Sequence, residues 1–320
     1  MTEPRSAGAE AGAAATTGAA AMTGPGAADA GAGATTGPGA ERPRVVVLAD
    51  AETVAQEAAA KLLTTIAAAV AARGRADVAL TGGSSALALY PLLTAPSLRD
   101  RVDWERVHLW LGDERYVPPD HPESNARLVN DALLRTPAHG GQSGSGLSGT
   151  DVIAGLAPHL DAPVDQFHPF PITEALRDGY GPEWTANQYE AALRAELPAD
   201  PDGLPVFDLV LLGVGPDGHI LSVFPGSAAL DPSAAMVLSV PAPDHVEPHL
   251  PRITLNPRLL RAAHAILVMA PGEGKADVLA QVLGSERDPA RWPAQLALLP
   301  QATWLLDRAS AAKLEEPAST

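Results

Sequence analysis

The chain has 320 residues, with 38 acidic against 22 basic side chains and a formal charge of −16. That imbalance argues against an electrostatic grip on nucleic acid or an anionic membrane, and the lack of cysteine removes disulfides, thiolate nucleophiles and Cys-ligated metal sites. What is left is a globular chain, 46% apolar, with material for a core and an expected place in a reducing cytoplasm. No membrane span is expected, because no continuous apolar run approaches the roughly 20 residues a bilayer requires.

Residues 1–40 are almost entirely Ala, Gly, Thr and Pro, without Leu, Ile or Val, and predict a disordered tail over 1–42. The tail lacks the apolar h-region of a secretory signal, and its few early charges are of mixed sign. From Arg44 the texture changes. Residues 45–48 predict a buried strand, and 51–72 a long Ala/Leu-rich helix with Asp50 as its N-cap. A strand at 76–81, a helix at 84–93, a strand at 106–111 and a helix at 123–134 continue the alternation. Beyond them come a helix at 183–196 and strands at 206–212, 236–240 and 265–270. A helix at 273–283 and a short strand at 303–306 close the series. Strands that are apolar throughout, alternating with helices, predict an α/β fold. The expected architecture is a mostly parallel, open, Rossmann-like sheet with helices on both faces. It forms a single domain over 43–310, with a surface loop at 140–150 and a frayed end at 311–320.

Four segments carry candidate chemistry. Thr81-Gly82-Gly83-Ser84-Ser85 joins a predicted strand to a predicted helix. Two glycines let the backbone approach a ligand, the helix N-terminus offers unpaired N–H groups, and Ser84 adds a hydroxyl, which suits a phosphate or carboxylate. An ordinary βα turn with a serine cap has the same letters. No Gly-Lys-Ser/Thr follows, so this is not a Walker A loop. Gly112-Asp113-Glu114-Arg115-Tyr116 follows the strand at 106–111, beyond the carboxyl end where open parallel sheets bind ligands. A solvated charged turn is the plainer alternative. Asn125, nearby, can cap the next helix or reach the same crevice.

Gly213-Val214-Gly215-Pro216-Asp217-Gly218 matches the dinucleotide fingerprint letter by letter. Pro216 stiffens the turn, Pro225 limits any helix beginning near His219, and no acidic residue stands near position 238 to hold a ribose. What remains is Asp217-Gly218-His219, a histidine suited to general-base work with a carboxylate two residues away to orient it. His121, His168, His245 and His249 fall in proline-rich stretches and receive no role. Lys275, in Pro271-Gly272-Glu273-Gly274-Lys275, is one of three lysines against nineteen arginines and stands at a strand-to-helix junction. Arg252, opening Arg-Ile-Thr-Leu, is a further cation candidate. No H-E-x-x-H and no dense Asp/His cluster occurs, so neither metal nor cofactor is expected. The set predicts a ligand with a phosphate and a group that hydrolyses or isomerises by acid–base chemistry.

Thr-Gly-Gly-Ser-Ser at 81–85, Gly-Asp-Glu-Arg-Tyr-Val at 112–117 and Gly-Pro-Asp-Gly-His at 215–219 recur with Phe224-Pro225-Gly226, Arg-Ile-Thr-Leu at 252–255 and Gly-x-x-Lys at 272–275. In this order, over about residues 44–307, they resemble the 6-phosphogluconolactonases of the glucosamine-6-phosphate isomerase/6-phosphogluconolactonase family. The resemblance implies hydrolysis of 6-phospho-D-glucono-1,5-lactone in the oxidative pentose phosphate pathway, without a cofactor. It implies His219 as general base, Asp217 holding it, and Gly82, Gly83 and Ser84 cradling the phosphate. Arg115, Lys275 and Arg252 would supply positive charge, and Asp113 would fix Arg115 or a sugar hydroxyl. The partner is then a small phosphorylated lactone, and a monomer or weak homodimer is expected.

Two alternatives accompany this resemblance. Deaminases of the same family carry His-Ile-x-Phe-Asn-Glu-Pro, whose glutamate helps open the sugar ring; here Phe224 stands in its place. Sugar-phosphate sensors of related fold usually lose the histidine and carry a helix-turn-helix domain, of which this chain shows no sign. Ile220-Leu221-Ser222-Val223 departs from the Thr, Ala, Ser and Leu usual after the lactonase histidine, which puts the pocket wall in question.

Overall fold

The computed structural model describes residues 42–134, 160, 166–231, 233–284 and 286–314. The expected tail up to residue 41 and the loop expected at 140–150 lie outside them. Strand β1 (Arg44–Leu48) leads into helix α1 (Ala51–Arg73). The helix starts where Asp50 accepts the Thr53 amide at 2.8 Å, and stops at Gly74, whose φ of 76° favours glycine. By length and composition α1 could cross a bilayer, contrary to the expectation from continuous apolar runs. Its Val54, Ala58, Leu62, Ile66 and Ala69 are buried at helical spacing, and the helix packs on strands of the sheet.

Strand β2 (Ala76–Leu80), helix α2 (Gly83–Leu93), the short α3 (Pro96–Arg99), β3 (Val107–Leu111), β4 (Asp113–Arg115) and α4 (Asn125–Ala132) follow. Then come β5 (Phe167–His168), α5 (Ile172–Asp178), α6 (Pro182–Glu196) and β6 (Leu209–Gly213). Strands β7 (Val237–Val240), β8 (Arg252–Leu255) and β9 (Ile266–Met269), helix α7 (Ala276–Val282) and strand β10 (Ala302–Asp307) complete the order.

A 7-stranded parallel sheet runs β1-β10-β9-β6-β2-β3-β5. Every residue of β2 and β9 is buried, as strands covered on both faces require. From β2 the chain steps to β3 on one side; from β6 it steps to β9 on the other. The β2–β6 boundary is therefore a topological switch point, where a crevice opens beyond the carboxyl ends.

The structure corrects several expectations. The strand expected at 236–240 belongs to a separate 3-stranded antiparallel sheet, ordered β4-β8-β7. Two of its strands, β4 and β8, carry charged residues that read as a turn and a surface segment, yet Asp113, Glu114 and Arg252 are buried. Burial is possible because their polar atoms are hydrogen-bonded, so charge here does not mark solvent. His168 lies in β5, its ring stacked on Trp110 at 4.0 Å between centroids, and not in a loop. The helix expected from residue 273 opens as a 3₁₀ turn, Glu273–Lys275, before α7. Past the boundary expected at 310, Ala311 and Leu314 pack against the core.

Candidate active site

Beyond the ends of β2, β6 and β9, one pocket gathers Gly82, Gly83, Ser84, Asp113, Arg115, His219, Arg252 and Lys275, with Asn125 and Leu221 in its wall. Every residue the sequence nominated lines it except Asp217, which stands behind His219.

The end of the pocket suited to an anion begins at Gly82, the extended N-cap of α2, which carries no side-chain cap. The amides of the first helical turn are thus without a side-chain acceptor from the cap and are available to a ligand. The two glycines are needed for different reasons. A Cβ on Gly82 would lie 1.9 Å from Asn125 Oδ1, whereas Gly83 has open space but a φ of 81°. Asn125 is itself held in place: its Nδ2 donates to the Asp113 carbonyl at 2.9 Å, and its Oδ1 accepts Arg115 Nη1 at 3.1 Å. It therefore reaches the crevice, while Ser124 caps α4 by accepting the Arg127 amide at 3.2 Å.

Glu114 explains why Asn125 sits where it does. Its carboxylate accepts the amides of Arg115, Asn125 and Ala126 and the Ser124 hydroxyl, at 2.7, 2.8, 2.7 and 3.0 Å. A buried carboxyl is thereby pinned to the N-terminus of α4. Burial pushes it up to about 7 despite those donors. Sequence reading gave Glu114 no role, since it is indistinguishable from its charged neighbours as letters.

Three cations converge. Arg115 and Arg252 are directly opposite partners in the antiparallel β4–β8 ladder. Arg115 Nη1 also donates to the Glu123 carbonyl at 2.7 Å, while its buried Nε has no hydrogen-bond partner among the described residues. Arg252 donates from Nη2 to the Pro248 carbonyl at 2.9 Å and lies over the Phe224 ring at 5.7 Å. Lys275 Nζ donates to the Val214 carbonyl. Burial lowers both the Arg252 and Lys275 values, marking cations removed from water. The turn bearing Lys275 is anchored by Asp307, which accepts the Gly272 amide at 3.0 Å and the Ser310 amide at 2.7 Å. Asp307 lies 32 residues downstream, beyond the reach of any local motif.

Of the two parts expected of Asp113, holding Arg115 or a sugar hydroxyl, the first is not taken by its carboxylate. No ion pair to Arg115 is formed among the described residues; its Oδ2 accepts the Ser222 hydroxyl at 2.6 Å. Ser222, in the segment that departs from the usual lactonase letters, thus ties the histidine turn to β4. Leu221 beside it holds a left-handed φ of 55° and faces the pocket.

The histidine–carboxylate pair comes from the turn after β6. His219 Nδ1 lies 2.5 Å from Asp217 Oδ1, and the His219 amide donates to the same oxygen at 3.2 Å. With Nδ1 committed to the carboxylate, Nε2 is the nitrogen left to exchange a proton in the pocket. The turn closes through the Gly215 amide on the His219 carbonyl at 2.8 Å, and a Cβ on Gly215 would lie 2.0 Å from His219 Nδ1. That close approach, and no helix entry, is what these glycines serve; the dinucleotide reading fails on structure. Burial raises the Asp217 carboxyl, but hydrogen bonds from His219 and His245 and the charge of His219 outweigh it and hold the group well below the usual carboxylate range. His245, given no role from sequence, places Nε2 3.0 Å from Asp217 Oδ2.

Comparisons agree with this architecture. The model of the family described as glucosamine-6-phosphate isomerases/6-phosphogluconolactonase matches residues 49–306. A 6-phosphogluconolactonase of Mycobacterium tuberculosis is 37% identical over 272 residues, 84% of this chain and 98% of that protein. One from Streptomyces coelicolor is 33% identical over 282 residues, 86% of this chain and 95% of that protein. The crystal structure of 6-phosphogluconolactonase from Leishmania guyanensis superposes with a TM-score of 0.69 at 27% identity, covering 86% of this chain and 99% of that one. With the family model spanning residues 49–306 and relatives above 30% identity matched along nearly their whole length, the chain belongs to the glucosamine-6-phosphate isomerase/6-phosphogluconolactonase family.

Proposed function

We propose that this protein is a 6-phosphogluconolactonase that hydrolyses 6-phospho-D-glucono-1,5-lactone to 6-phospho-D-gluconate. The observation that carries the reading is that an Asp217-held His219 opens onto the same pocket as the Gly82–Ser84 helix start and three cations. The phosphate sits at the N-terminus of α2, neutralised by the arginine pair. His219 Nε2 takes a proton from water as the water oxygen bonds to the lactone carbonyl carbon. The tetrahedral intermediate collapses by breaking the bond to the ring oxygen, which receives the proton back from Nε2. The product acid then ionises. Asp217 stabilises the transient imidazolium and fixes the tautomer, while a neighbouring cation of the pocket offsets the developing oxyanion.

Ring-opening deamination is disfavoured by the aromatic ring at Phe224, which lies 4.7 Å from the His219 ring between centroids, where that chemistry uses a carboxylate. The experiment is a paired assay at slightly acidic pH, with freshly generated lactone and with glucosamine 6-phosphate. Lactone consumption well above the spontaneous rate, with no ammonia from the amino sugar, is expected. Ammonia release, or tight binding of 6-phosphogluconate without lactone turnover, contradicts the reading and favours the deaminase or a sensor.

A further inference from the structure

Asp217 spends its two oxygens on two different imidazoles. Oδ1 lies 2.5 Å from His219 Nδ1, and Oδ2 lies 3.0 Å from His245 Nε2. The other ring nitrogen of His245, Nδ1, lies 3.1 Å from Asp244 Oδ1. A ring held between two carboxylates donates to both only when both nitrogens carry protons, so this geometry selects the imidazolium. Phe224 fills the angle between the two histidines, 4.7 Å from His219 and 5.9 Å from His245 between ring centroids. His245 itself lies outside the pocket lining and its side chain is 46% exposed, against 16% for Asp217.

We propose that His245 is a positioning residue for the acid–base pair: it locks the Asp217 carboxylate onto His219 and sets how strongly that carboxylate polarises the His219 ring. The inference rests on the lactonase reading for its kinetic expression. His245 acts in two parts, one geometric and one electrostatic. A carboxylate hydrogen-bonded at one oxygen retains rotation about its terminal torsion; a second donor at the other oxygen removes it. A positive ring at Oδ2 also competes with His219 for the same negative charge, so protonated His245 weakens the pull on His219. The charged groups around His245 are Asp217 and Asp244 in direct contact, Arg252 behind Phe224, and the Glu247–His249 pair at 3.0 Å on the same loop. Asp217 also attracts the charge of Lys275.

The variants His245→Ala and His245→Gln separate the two parts. Alanine removes both the lock and the charge; glutamine restores a donor without a charge. His245→Ala is expected to lower kcat about tenfold with little change in KM for the lactone, and His245→Gln to recover most of it. In both, the acidic limb of the kcat/KM profile is expected to move upward by about half a pH unit, because Asp217 no longer faces a second positive ring. A spectroscopic reading independent of turnover accompanies the kinetics: the downfield proton resonance of the His219 Nδ1–Asp217 hydrogen bond is expected to shift in both variants. If the wild-type protein does not hydrolyse the lactone, the proposed function fails, and the resonance alone then decides the role of His245. Loss of kcat with an unmoved pH limb and an unmoved resonance marks a merely structural histidine and overturns the proposal, as does wild-type behaviour in both variants.

Discussion

Arg115 and Arg252 face each other as direct partners across the β4–β8 ladder, and both line one pocket. Like charges so paired cost about 0.2–1 kcal/mol unless something negative lies between them. A phosphate dianion converts that repulsion into two attractions. Inorganic phosphate is therefore expected to raise the melting temperature of the wild-type protein by several degrees at concentrations about 100-fold above its dissociation constant. Arg115→Gln or Arg252→Gln should each weaken phosphate binding roughly 10- to 100-fold, and differential scanning fluorimetry across a phosphate series measures both. Equal stabilisation of all three proteins places the anion elsewhere.

In the proposed mechanism Asp217 acts through His219, so its removal should be read in kcat. Asp217→Asn keeps the shape but offers an amide to a ring that wants an anion. A fall in kcat of about 10²- to 10⁴-fold with KM within about threefold is expected from steady-state kinetics. A variant that changes KM alone shows that Asp217 binds substrate instead.

The glycines make a sharper geometric prediction. A Cβ at Gly215 falls 2.0 Å from His219 Nδ1 and 2.8 Å from Asp217 Oδ1, so Gly215→Ala must push the ring off its carboxylate. A Cβ at Gly82 falls 1.9 Å from Asn125 Oδ1, so Gly82→Ala displaces the residue that holds Arg115. The first variant should lose about 100-fold or more in kcat, and the second should raise KM by about tenfold. Circular dichroism melts distinguish these local effects from unfolding.

Stability should depend on pH through two carboxyls of opposite sign. Glu114 is raised from its ordinary 4.5 to about 7. Its stabilising contribution is complete below the unfolded value and is lost as pH rises through about 7, a loss on the order of 3 kcal/mol. Asp217 is lowered, so its contribution is present above the unfolded value of 3.8 and is lost as pH falls toward its depressed native value. Urea titrations from pH 5 to 8 should show a downward slope from Glu114 that Glu114→Gln removes, although the amide, facing backbone donors, lowers stability overall. A slope unchanged by that substitution refutes the assignment.

Asp307 fixes the turn carrying Lys275 through the Gly272 amide. Asp307→Asn leaves the pocket chemistry intact but loosens its third cation. KM for the lactone should rise several-fold with kcat nearly constant, measured by the same steady-state assay.

The large sheet was legible because its strands are buried on both faces and advertise themselves as apolar runs; 76–81 and 265–270 became β2 and β9 within two residues. The small antiparallel sheet was not. Asp113-Glu114-Arg115 alternates nothing apolar, and its burial depends on β8 partners up to 141 residues away, Thr254 opposite Asp113 and Arg252 opposite Arg115. Motif spacing brought Gly82, His219 and Lys275 to the same crevice, since strand ends in a parallel sheet share an edge. It could not reveal that Arg115 and Arg252 are cross-strand partners, because register is a tertiary property. His245 was hidden for a different reason: proline-rich context reads as loop, and a loop histidine becomes legible only when the carboxylate beside it is known.

The part proposed for an Asp217-held His219 is to perform the proton transfers of lactone hydrolysis. The most direct measurement is the initial rate on freshly generated 6-phospho-D-glucono-1,5-lactone, at slightly acidic pH, for wild type and His219→Asn, alongside 6-phosphogluconate affinity of both. Loss of nearly all turnover above the spontaneous rate in His219→Asn, with product affinity kept within a few-fold, is the result predicted. Wild-type turnover in His219→Asn contradicts it.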